Sequence, residues 1–140
     1  MNQLNVDLGM EEFSLGSGVL RFNPCDPGLY ARFLGLSDSL EQLQRNLQRE
    51  SEKATDGVQV LHLLEETDRQ FKQLLSRVFE NDFSQLLQGV NLLSLTRNGE
   101  TVAESLLHAL EPVLTQGAER FVQSQTQAAV EKARQRRENL

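Results

Sequence analysis

The chain has 140 residues, 39% of them hydrophobic, and a formal net charge of −6, which fits one domain with a single core and leaves little room for two. Its pI near 4.9 opposes general attraction to nucleic acid or anionic membranes, because phosphate affinity rests on Lys and Arg. The single cysteine, Cys25, excludes an intrachain disulfide and any multi-cysteine metal site, and no apolar run approaches the roughly 20 residues of a membrane-spanning helix.

The amino terminus lacks the basic-then-apolar pattern of a signal peptide, so a soluble, intracellular protein is expected. With aromatic content of 6% and no tryptophan, the core must be built from leucine and valine around a few phenylalanines. From Met1 to Asn23 the apolar residues alternate: Leu4, Val6 and Leu8, then Phe13 and Leu15, then Leu20 and Phe22. That period predicts two or three short strands. Gly9-Met10 and Gly16-Ser17-Gly18 are the expected reversals, since glycine accepts the positive φ of tight hairpin turns. Read instead as a phosphate loop, Gly16-Ser17-Gly18 lacks the Lys-Ser/Thr pair and following helix.

Asn23-Pro24-Cys25-Asp26-Pro27 ends the extended part. Asp26 suits an N-cap and Pro27 a first helical position, so a short helix is predicted to about Leu34, where Gly35 interrupts. Ser37 or Ser39 offers a fresh N-cap, and Leu36, Leu40, Leu43 and Leu47 carry helical spacing to about Arg49. Glu50 to Gly57, with no apolar residue larger than alanine, reads as a frayed end and linker.

The run from Val58 to Leu92 dominates the chain. Val60, Leu61, Leu64, Phe71, Leu74, Leu75, Val78 and Phe79 fall on one side of a helix, and Glu65, Glu66, Arg69, Gln70, Lys72, Gln73, Ser76, Arg77 and Glu80 on the other, where solvent is expected. Thr67 and Asp68 occupy positions where the stripe calls for an apolar residue, and read as its edge or as a polar contact facing a partner. Asp82 predicts a cap for a helix over Phe83 to Gln88, ended by Gly89. Asn91 to Leu95 reads as a packed connection and Arg97 to Glu100 as a turn. Thr101 to about Gln116 is again helical, with a kink or break expected near Leu110 from Pro112. Beyond Ala118 the apolar residues thin out, predicting an exposed helix that fades into a disordered basic tail. The fold class is therefore mostly α (α+β): N-terminal strands within 1–23, helices within 26–117 completing one compact domain, and an extended helix and basic tail over 118–140.

Catalytic readings find little support. His62 and His108 lack a second ligand at helical spacing, apart from the common His62-x-x-Glu65 pair. Glu65, Glu66 and Asp68 lack the apolar pocket that separates an acid from a base, Cys25 has Asp26 beside it and no base, and no Gly-x-Ser-x-Gly elbow occurs. No enzyme activity, metal, cofactor or small-molecule substrate is expected.

The order Phe71-x-x-Leu74-Leu75-x-x-Val78-Phe79-Glu80, an Asp82-started helix, Gly89-x-Asn91-Leu92, a further long helix and the ending Ala133-Arg134-Gln135-Arg136-Arg137 resembles the tail assembly chaperones of long-tailed bacteriophages infecting Gram-positive bacteria. The resemblance covers roughly Gly18 to the end. Glu80 or Asn81 stands where that family tends to have glycine, and Gln88 where it tends to have a second phenylalanine. The resemblance implies a nonenzymatic protein of the host cytoplasm. It would bind the coiled-coil tape-measure protein, help recruit tail tube protein and be absent from the finished virion; homo-oligomer formation stays open. Phe71, Leu75, Phe79 and Phe83 are the candidate contact residues, and equally the obvious intrachain core. Arg134, Arg136 and Arg137 form the one dense basic cluster, read as a docking tail or as a solubilising end that complements the helix dipole. The competing readings are a structural or connector protein retained in the virion and a small helical regulatory or DNA-associated protein, the latter opposed by the acidic balance.

Overall fold

Two residues, Gly16 and Ser17, reverse the chain at its first ordered element. In the computed structural model, which describes residues 1–139, Gly16 takes φ +61° and Ser17 does not turn positive, the combination of a II′ hairpin loop. It joins β1 (Glu11–Leu15) to β2 (Gly18–Phe22), antiparallel with Leu15 opposite Gly18 and Glu11 opposite Phe22. Leu20 and Phe22 face inward at 2% exposure each, as the two-residue period requires. No third strand forms before the hairpin. Gly9, at φ +71°, diverts the chain ahead of β1, and Leu4, Val6 and Leu8 are left exposed. The outer edge of β2 is closed instead by a side chain. Asn81 accepts from the Arg21 N–H at 3.1 Å and donates to the Arg21 carbonyl at 2.7 Å, much as a neighbouring strand would.

Helix α1 (Pro27–Leu34) begins where the sequence puts it, with Asp26 accepting from the Gly28 N–H at 2.9 Å and Pro27 in the first position. Helix α2 (Leu36–Lys53) follows after Gly35 alone. Neither Ser37 nor Ser39 caps it. Gly35 stays in the right-handed region (φ −81°, ψ −11°), so there is no extended residue from which a side chain could cap; the Ser39 hydroxyl donates backward to the Gly35 carbonyl at 3.0 Å. α2 also runs past Arg49 to Lys53: its polar last turn is helix facing water, and Glu50 pairs with Lys53 at 3.6 Å.

Helix α3 (Gly57–Phe79) is capped by Asp56, which accepts from the Gln59 N–H at 2.9 Å. It ends at Glu80, whose φ of +55° makes it the one described non-glycine residue in the left-handed region. Helix α4 (Phe83–Leu86) is a single turn after Asp82 and stops short of Gln88. The Leu87 and Val90 carbonyls turn to Lys72 instead. Helix α5 (Val102–Glu138) starts at Thr101, whose hydroxyl oxygen accepts from the Glu104 N–H at 3.1 Å, and continues for 37 residues. The break expected at Pro112 is absent, and the basic end is helical up to Glu138. Pro112 lies on the exposed side, while Leu110 and Leu114 beside it are buried and hold the helix through the missing hydrogen bond.

The core forms where the hairpin, α1, the start of α2, α3, α4 and the first half of α5 meet. Its rings run from Phe13, stacked on Phe22 at 4.6 Å, through Phe79 (5.1 Å from Phe22) to Phe83 (5.8 Å from Phe79). In α5 burial ends at Gly117, and from Glu119 the side chains are exposed apart from half-buried Phe121. No described helix is long and apolar enough to cross a membrane.

Candidate interaction surfaces

The four apolar contact candidates lie inside the molecule. Phe71, Leu75 and Phe83 are 0% exposed and Phe79 3%, so of their two readings the core is the one this fold realises, and none offers a face to a partner. The reason is the hairpin and α4, which cover the end of α3 that the sequence by itself leaves open. The other end of the stripe is less covered: Leu61 is 60% exposed.

Lys72 departs most from the expected solvent face, with a side chain that is 10% exposed. Its ammonium uses all three donors, to Leu87 O at 3.2 Å, to Val90 O at 2.7 Å and to Asp68 Oδ2 at 2.9 Å. Asp68 in turn accepts from the Leu92 N–H at 2.7 Å, and the Leu92 carbonyl accepts from the Ala103 N–H at 2.8 Å. Asp68 and Lys72 thus clamp the connection over 87–92 onto α3 and, through Leu92, hold the start of α5. Asp68 faces this connection, and neither of its sequence readings, stripe edge or partner contact, describes it. Thr67 is buried and satisfied by donating to Leu63 O at 2.8 Å. The signal was an i, i+4 acid–base pair at the border of an apolar stripe, which on sequence grounds cannot be told from a surface pair.

A glycine makes the second close approach. A Cβ on Gly117 would lie 1.7 Å from Pro24 O and 2.4 Å from Pro24 C, so the backbone entering α1 crosses α5 where α5 has no side chain.

The chemistry-bearing residues stay apart. His62 is exposed, and Glu66, beside it on α3, bonds Arg69. That hydrogen bond holds the Glu66 carboxyl below the usual carboxylate range, and Glu66 holds Arg69 above the usual guanidinium value. Among the described residues the one polar side-chain partner of His108 is Glu100, at 3.1 Å. Among the described residues no three His, Cys, Asp or Glu side chains are placed to hold a metal ion.

What remains open to a partner is surface. Arg134, Arg136 and Arg137 are exposed on the last turns of α5, Arg134 being 4.0 Å from Glu131. On the same projecting half, Phe121, Val122, Thr126, Ala129, Val130 and Ala133 form a stripe, with Val122 60% and Val130 56% exposed. Leu4, Val6, Leu8 and Met10 form a second exposed apolar set. No family model matches the chain, and neither a curated protein nor a solved structure does.

Proposed function

We propose that this chain is a phage tail assembly chaperone that acts in the host cytoplasm, binding the tape-measure protein and helping to recruit tail tube subunits. The observation that carries the reading is the outer half of α5: a helix with an apolar stripe from Phe121 to Ala133 that its own chain leaves uncovered. Such a stripe suits the apolar seam of a long helical client, helix against helix, while the acidic body keeps the complex soluble. Glu80 adds to it. The family resemblance has glycine at or next to this position, and Glu80 takes the left-handed conformation that glycine adopts without strain.

The test is co-expression with candidate tape-measure and tail tube proteins. The chain should co-purify with the tape-measure protein and be missing from purified virions, and changing Val122 and Val130 to Asp should abolish capture. Presence in virions in many copies would favour a structural protein instead.

A further inference from the structure

Two grooves on the body run into one another along α5. The first, of about 330 Å³, lies between α1, the start of α2 and α5, over Phe33, Leu40 and Leu107. The second continues it past Thr115 to Val122, with Tyr30 and Thr115 common to both. Glu41, Glu104 and Glu111 line the first and Glu119 the second, and no lysine or arginine lines either. Glu41 is paired with Arg45 and His108 with Glu100, whereas Glu104 and Glu111 make no ion pair among the described residues.

The opposite charge is at the far end of the chain. After Gly117 five basic residues stand against three acidic ones, while the first 117 residues carry nine basic and seventeen acidic. We propose that the C-terminal end of α5 from one copy of this chain docks in the acidic groove of another. Val130, Ala133, Arg134 and Arg137 share one helix face by their spacing, so the first two can lie on the apolar floor while the arginines meet Glu104 and Glu111. A chain cannot fill its own groove. α5 is itself a wall of it, and at 1.5 Å per residue an unbroken helix carries Arg134 roughly 35 Å beyond Glu111. Each copy offers one groove and one helix end, so two copies satisfy both by exchanging ends about a two-fold axis, whereas one-way docking runs head to tail as a ring or an open chain.

Sedimentation velocity on the full chain, from micromolar to millimolar concentration and at low and high salt, tests this without any tail protein, so failure to bind tape-measure protein leaves it standing. Mass should rise with concentration at low salt and fall toward the monomer at about 1 M salt, where the screening length is about 3 Å. Glu104→Lys with Glu111→Lys, or Arg134→Glu with Arg137→Glu, should raise the concentration for half association by about tenfold or more. The chain carrying all four changes should associate again. Circular dichroism checks each fold, and the arginine variant, placed on exposed helix, serves if the groove variant does not fold. A monomer under all conditions, association indifferent to groove reversal (as when α5 pairs with α5 through Val122 and Val130), or no recovery in the fourfold variant overturns the proposal.

Discussion

Up to Gly117, α5 sets Ala103, Leu106, Leu107, Leu110 and Leu114 against the body; from Glu119 on, the same helix buries no side chain fully. The two halves are one unbroken element, and the buried half is the one that carries Pro112 and Gly117, so propensity does not explain the difference. The inner half is held by tertiary contacts: its first N–H groups bond to the Leu92 and Ser94 carbonyls, and its last buried position, Gly117, admits the Pro24 backbone. The outer half is held by its own hydrogen bonds and by being continuous with the inner one. An isolated helix of that length is marginal in water, so its order is borrowed from the body, and its apolar residues are free to meet another chain.

The sharpest way to break this contrast is at the crossing point. Gly117→Ala puts a methyl where backbone already lies, and backbone cannot swing aside as a side-chain tip can. The loss in denaturant unfolding should exceed the about 1–3 kcal/mol of ordinary overpacking, with a native fold absent at 37 °C in the strongest case.

Next comes the clamp. Asp68→Ala leaves Lys72 enclosed without its counter-charge and the Leu92 N–H without an acceptor, an expected loss of about 3 kcal/mol. Replacing Asp68 and Lys72 together by Leu and Met should cost less than Asp68→Ala alone, since no buried charge is then stranded. If the double variant is the less stable in chemical denaturation, the clamp is not acting through the ion pair.

In the outer half the corresponding test is a small one. Val130→Ala should change stability by no more than about 0.5 kcal/mol, and a larger loss would mean that this stripe is covered after all.

The smallest effect is electrostatic. Glu66 is depressed by its hydrogen bond to Arg69, so the folded form holds the charged carboxylate more strongly than the unfolded one. The stabilisation is present above the ordinary carboxylate range and lost as pH falls through the lowered value. Thermal melts of Glu66→Gln and the parent should differ at neutral pH and converge in acid; as an exposed pair the difference should be slight and fade with salt.

Much of the architecture was legible because it is written in local rules: the Gly16-Ser17 turn, the Asp26-Pro27, Asp82 and Thr101 starts, and the inward phenylalanines of α3. The errors fell where a distant partner intervened. Pro112 removes a hydrogen bond in any helix, yet the buried leucines on both sides of it carry α5 through. Lys72 looks like a surface lysine until the 87–92 connection folds over it. Gly117 carries no local sign of its role, which is set by the Pro24 backbone crossing it. The contact residues could not be assigned from their apolar character, because the same leucines and phenylalanines that would hold a partner also make a core.

The amino-acid order therefore determined which segments are helix or strand and which face of each is apolar, since those depend on backbone preference and side-chain period over a few residues. Which of those faces stay in water was settled by how the segments pack, because covering a face takes residues far away in the chain: the hairpin and α4 hide Phe71, Leu75, Phe79 and Phe83, and none of the described residues buries Val122 or Val130.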